Sequence, residues 1–188
     1  DRPEPTPEKG QTLIKVLRCG ICGSDLHLKG HCDHMSGLGR RVGYPHMPKQ
    51  EDAVVFGHEF CGEVVEFGQH TKQRIKPGTR VCAVPLLRRQ QHIDLIGISA
   101  VSTGAYAEHV VVEECLMEPV PNGLASDVAA LTEPMAVALH AVRRSDIQNS
   151  DVAVVVGCGP VGLAVICMLK AQGVKTIIAS DFSASRRQ

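Results

Sequence analysis

The chain has 188 residues, 44% of them apolar, with 20 acidic and 20 basic side chains in balance. That length suffices for one ordinary core or two small ones, and zero net charge gives no electrostatic reason to expect nucleic acid or an anionic membrane as a partner. No apolar run is long enough to span a bilayer, and the 8 irregularly spaced cysteines suit reduced thiols better than a disulfide framework.

The opening DRPEPTPEKG is charged and proline-rich with no apolar stretch. It shows no secretory signal, and the expected location is cytoplasmic. From residue 11 to about residue 120 the chain predicts short strands: TLIKVLR, VVFGHEFCGEVVEFG, TRVCAV and AYAEHVVVE, separated by Gly, Pro or polar clusters. KPGT, Lys76 to Thr79, has the Pro-Gly of a tight turn. The Gly- and His-rich stretch between Lys29 and Asp52 lacks periodicity and is expected to be a long loop.

After Pro121 the pattern changes. SDVAALTEPMAVALHAVRRSD predicts a helix with Ser126 as N-cap and a break at Pro134. Then DVAVVVGCGPVGLAVICMLKAQGVKTIIASD predicts a buried strand (Val152 to Val156), a glycine turn, a helix stopping at Gly173 and a second strand (Thr176 to Ser180). Such a βαβ start implies a parallel sheet. One βαβ unit cannot cover both faces of a sheet, so the second domain is expected to be unfinished.

Two constellations carry chemistry. Gly157-Cys158-Gly159-Pro160-Val161-Gly162 matches G-x-G-x-x-G between the strand and helix that a dinucleotide fingerprint requires. Gly157 would permit the sharp turn, Gly159 the approach of a pyrophosphate and Gly162 close packing of helix and strand. The helix N-terminus offers free N–H groups to phosphates. Asp181, ending the second strand, would accept hydrogen bonds from ribose hydroxyls and repel a 2′-phosphate, favouring NAD over NADP. Arg186 and Arg187 could soften that preference.

The other constellation begins in CGICGSDLH, Cys19 to His27. A redox CxxC would be expected in a thioredoxin-like βαβ context, and a four-cysteine zinc knot would need a second CxxC, which the chain lacks. His58-Glu59 and, later, Glu133 supply an imidazole and carboxylates instead. One thiolate, one imidazole and one or two carboxylates make up a catalytic zinc site, with a coordination position left open. Carboxylate in place of a second thiolate makes the site harder and suits polar substrates.

CGICGSDLH, VVFGHEFCGEVVEFG, GAYAEHVVV, LTEPMAVALHAVRR and VVVGCGPVGLAVI, in that order, resemble the zinc-dependent medium-chain alcohol dehydrogenase family, most closely its polyol and threonine dehydrogenase branch. The resemblance implies a mixed β and α/β fold: a GroES-like catalytic domain over residues 1–145, then the start of a Rossmann domain over 146–188. It implies Cys22, His58, Glu59 and Glu133 as the zinc-site residues, Glu59 binding directly or through water. Ser24 and His27 match the proton relay, Asp25 a partner of the metal ligands, and Cys19 a packed thiol. The implied activity is hydride transfer between NAD and a small secondary alcohol, polyol or hydroxy amino acid, by a homodimer or homotetramer at full length. Only one zinc is expected, because the segment before GAYAEH, where many members carry four cysteines for a structural zinc, has none. The cluster His31, Cys32, His34 is expected to be a solvated loop at the substrate entrance. The chain covers about half of the family pattern, which we read as an incomplete form of a longer enzyme. The rival readings are a truncated zinc- or nucleotide-binding module without activity, and a metal-free quinone or enone reductase.

Overall fold

The β-branched runs form strands, as their composition favours. In a computed structural model, which describes residues 2–44 and 46–188, β1 (Gln11–Cys19), β2 (Phe60–Phe67), β3 (Arg80–Ala83), β6 (His109–Glu113) and β7 (Met117–Pro119) make one antiparallel sheet. Asp1 of the N-terminal stretch and Pro45 of the expected loop lie outside the described residues. The sheet order is β6-β1-β2-β3-β7. A small hairpin, β4 (Leu86–Arg88) and β5 (Ile93–Leu95), forms a separate two-stranded sheet packed against it. Ile14, Val64, Val81, Val110, Val112 and Met117 project from the sheet into a core closed by Leu87 and Ile96.

Ile14 is fully buried at the centre of that core. Ile14→Ala is expected to destabilise the fold by about 2–5 kcal/mol through lost burial and the cavity left behind. A lower urea midpoint at unchanged slope is the measurement.

Contacts divide the chain into two compact units, one ending at Leu131 and the other Thr132–Gln188. The second holds α4 (Thr132–Arg144), β8 (Val152–Val156), α5 (Pro160–Ala171) and β9 (Thr176–Ser180). β8 and β9 pair in parallel from Val152↔Thr176 to Val156↔Ser180, the pairing expected of a Rossmann start. Val142 of α4 shares a core with Ala153, Leu169 and Val174. That packing places α4 with the second unit, whereas the sequence reading ended the first domain at residue 145.

Several sequence expectations need correction. The stretch expected to be a loop contains α1 (Gly23–Gly30) just before it and α2 (Cys32–Arg41) within it. α2 buries Cys32, Ser36 and Gly39, a stripe at helical spacing made of small residues, which an apolar-periodicity reading passes over. His31, Cys32 and His34 are therefore not a solvated loop: Cys32 is buried, its thiol donating to the Pro48 carbonyl at 3.3 Å. The helix predicted from Ser126 is two helices, α3 (Ser126–Ala129) and α4. Pro134 does not break it but lies in the first turn of α4, where a missing N–H leaves no helical bond unmade. Ala125, not Ser126, is the N-cap of α3, and the Ser126 hydroxyl accepts from Arg80 instead. β8 is not buried throughout, since α5 covers one face while Val152, Val154 and Val156 remain exposed.

Candidate metal centre

Strand pairing assembles the first constellation. β1 meets β2 with Cys19 opposite Phe60, and the Gly20 N–H extends the ladder by donating to the Glu59 carbonyl at 2.7 Å. His58 and Glu59, just before β2, therefore face the turn that leaves β1. Cys22 caps α1 in extended conformation, φ −83° and ψ 152°. The Asp25 carboxylate accepts its N–H at 3.0 Å. The result brings one ligand atom each from Cys22, His58 and Glu59 within 4.8 Å of one another.

The surroundings of His58 fix its orientation. Its Nδ1 faces Asp25 Oδ1 at 3.4 Å, and Nε2 lies 3.3 Å from Ser24 Oγ. His58 and Asp25 are both buried. The facing atoms, Asp25 Oδ1 and His58 Nδ1, have no hydrogen-bond partner despite their proximity. This pair fits a metal: a cation on Nε2 keeps the proton on Nδ1, turned toward the carboxylate, the arrangement that orients metal-bound histidines. A thiol, an imidazole and a carboxylate are also the donor set zinc favours.

Tyr106 completes the ring around Asp25. Its hydroxyl lies 2.9 Å from both Asp25 Oδ2 and the Gly20 carbonyl and donates to one of them. Burial first, then the Asp25 carboxylate, raise the Tyr106 phenol well above its ordinary range, so it remains a donor. Gly57 makes room for it: at φ +97°, a Cβ there would lie 2.6 Å from the Tyr106 ring and 2.9 Å from Cys19 Sγ. Cys19, packed against the main core, has its thiol pushed up to about 12 by burial and then by the Asp25 charge. It is thus held protonated, unlike a metal ligand.

Sequence reasoning missed Tyr106. The available signal was the Gly104-Ala105-Tyr106 stretch, an aromatic beside a glycine in a chain with few aromatics. Asp25→Asn is expected to weaken zinc binding roughly 10- to 100-fold, read by competition against a chromophoric chelator. Tyr106→Phe should weaken it less, because the Cys22 N–H still holds Asp25 Oδ2.

The remaining predicted residues lie as follows. His27 is exposed, one turn beyond Ser24 on α1 and with its ring 5.4 Å from that of His31. Glu133 is half-buried in the first turn of α4, in the second unit. There the glycine turn links β8 to α5. Gly157 has φ +101°, and a Cβ on Gly162 would lie 1.9 Å from the Gly157 carbonyl oxygen. Gly159 is the N-cap of α5, with Pro160 as its first residue and Val161 exposed after it. Asp181 accepts the N–H groups of Ser183 and Cys158, each at 2.8 Å. Those two bonds hold its carboxyl below the usual range, so it is ionised where the second strand ends. Arg186 stands 3.9 Å away.

A family model described as the alcohol dehydrogenase GroES-like domain matches residues 8–122. The chain is 41% identical to an (R,R)-butanediol dehydrogenase of Bacillus subtilis (strain 168), over 98% of this chain and 55% of the relative. A crystal structure of the 2R,3R-butanediol dehydrogenase from Bacillus subtilis superposes with a TM-score of 0.80 at 37% identity, covering 100% of this chain and 55% of that one. A structure from Sinorhizobium meliloti 1021, described as a zinc-binding dehydrogenase bound to NADP, matches with a TM-score of 0.78 at 31% identity, over 97% of this chain and 52% of that one. The chain thus spans about half the length of the curated relatives it matches.

Proposed function

For a chain that belongs to the zinc-dependent medium-chain alcohol dehydrogenase family, in its polyol and threonine dehydrogenase branch, we propose NAD-linked oxidation of a small secondary alcohol, a vicinal diol, a polyol or a hydroxy amino acid. The observation that carries this reading is the convergence of Cys22, His58 and Glu59 beside the buried Asp25. Cys22 and His58 would hold zinc, with Glu59 as the carboxylate available to it. When bound, zinc supplies Lewis-acid polarisation of the alcohol oxygen, and the nicotinamide supplies the hydride acceptor.

The chain's own residues do the rest. Asp25 holds the His58 imidazole in one orientation, and Tyr106 with the Cys22 N–H holds Asp25. Ser24 Oγ, beside His58 Nε2, would take the alcohol proton. His27, exposed on the same helix face as Ser24, would pass that proton to water. The turn Gly157 to Gly162 would receive the pyrophosphate at the N-terminus of α5, and the ionised Asp181 would receive the ribose. Its negative charge would favour NAD over the 2′-phosphorylated cofactor, and Arg186 and Arg187 would soften that preference.

Three assays test this. NADH should bind more tightly than NADPH by fluorescence titration. Oxidation of a panel of secondary alcohols, vicinal diols and hydroxy amino acids should proceed with NAD, stop with a strong chelator and return with zinc. NADH binding without turnover on any panel member would leave a nucleotide-binding module in its place, and chelator-resistant enone reduction would leave the metal-free reductase.

A further inference from the structure

A second cluster of metal-type side chains lies in the first unit, away from the residues just described. His46 Nδ1 is 2.8 Å from Asp94 Oδ1, and His92 Nε2 is 3.3 Å from the same oxygen. The two imidazole rings stand edge to face with centroids 4.1 Å apart. One ligand atom from each of the three residues lies within 4.8 Å of the others. From this convergence we propose that His46, His92 and Asp94 form a second metal site, for zinc, built entirely without sulfur.

The local structure holds these side chains in place. β4 and β5 pair with Leu87 opposite Asp94 and Arg88 opposite Ile93. The turn between them is closed by the Arg89 N–H, which donates to the His92 carbonyl at 2.9 Å. His92 and Asp94, two residues apart, therefore point to the same side of the hairpin. His46 arrives from the segment after α2, where its carbonyl accepts the Ala100 N–H at 2.9 Å.

The division of labour within Asp94 favours a ligand. Its side chain is fully buried. Oδ2 accepts the Arg89 Nε–H at 2.8 Å, and Arg89 in turn pairs with Glu8 at 3.0 Å. That leaves Oδ1 for the two imidazoles and for whatever they share. Asp94 Oδ1 thus faces both imidazoles at once, and the three side chains converge on one point from two separate segments of the chain. Two imidazoles and a carboxylate suit zinc, whereas calcium and magnesium require oxygen ligands throughout. The cluster borders an open cleft of about 660 Å³ that also includes Glu8, Lys9 and Gln11, so an ion has a way in and water can fill the remaining position. Bound there, zinc would tie the segment after α2 to the β4–β5 hairpin. This would replace the expectation of one zinc per chain with two.

The test is zinc content after dialysis, on the full chain. The parent should hold about two zinc per chain, and His92→Gln and His46→Gln about one each. Cys22→Ala should retain about one, and that remaining ion should be lost when His92→Gln is added. His92 is partly exposed, so its glutamine variant should fold, which circular dichroism would check. Cobalt in the Cys22→Ala chain should give only weak visible bands with no sulfur-to-metal charge transfer. Undiminished zinc in both histidine variants, or no zinc in Cys22→Ala, would overturn the proposal. Neither outcome would alter the Cys22 centre, whose own loss is seen in the Cys22→Ala chain.

Discussion

Cys22→Ala is expected to lose the zinc at the first centre and, in cobalt-loaded protein, the sulfur-to-metal charge-transfer band. Cys22 is the thiol whose ligand atom stands with those of His58 and Glu59, and Cys19, three residues earlier, is kept protonated by burial and the Asp25 charge. Removing one strong ligand from a site of three or four forfeits about 3 kcal/mol, roughly a hundredfold in affinity. Cys22→Ser tests the same point with less change of shape, since a serine hydroxyl is not ionised at neutral pH and is a poor substitute for thiolate. The fold should survive in both variants, because Cys22 is only half-buried and lies outside the cores. If the charge-transfer band persisted in Cys22→Ala, the metal would have to sit on another thiol and the assignment of this centre would fail.

The second large effect separates a nucleotide turn from a merely tight one. A Cβ at Gly159 would meet nothing nearer than the Arg186 guanidinium at 4.0 Å, so Gly159→Ala should leave the thermal midpoint unchanged. If a pyrophosphate packs against that backbone, the same methyl group should weaken NADH binding by about 10- to 100-fold, the equivalent of 1–3 kcal/mol of overpacking. Gly162→Ala is expected to behave differently. Its Cβ would be driven against the Gly157 carbonyl oxygen, so the turn must open, and stability and binding should fall together. Equal NADH affinity in parent and Gly159→Ala would remove the turn from the binding site.

Much of the candidate chemistry was legible because it is local. A glycine that must adopt positive φ, as Gly157 does, is dictated by the steric demands of its own turn. Gly162 is required by its neighbour five residues back. The alternation and β-branching of Thr12–Arg18 and the parallel pattern of Val152–Val156 with Thr176–Ser180 likewise follow from side chains that each strand carries itself. The less legible parts are those where periodicity was written in unusual letters. In α2 the buried stripe is Cys32, Ser36 and Gly39, and Gly39 is small so that Met47 can pack where a Cβ would otherwise stand 2.2 Å from its Cγ. The β4–β5 hairpin was hidden for another reason. Its strands are three residues long, too short to show alternation.

The sequence by itself determined the residue types: a thiol, imidazoles and carboxylates in an order that resembles one family, and a glycine turn set between strand and helix. Those requirements are local, so they are visible without coordinates. Which of these groups meet was decided by tertiary structure alone. Cys22 reaches His58 because Cys19 pairs with Phe60 across β1 and β2, and a shift of one residue would turn alternate side chains to the opposite face. His46 reaches Asp94 across 48 residues because β2, β3 and the β4–β5 hairpin fold the intervening chain back on itself. Side chains that distant in sequence share no local constraint, so only the register and packing of the elements between them bring their atoms within bonding range.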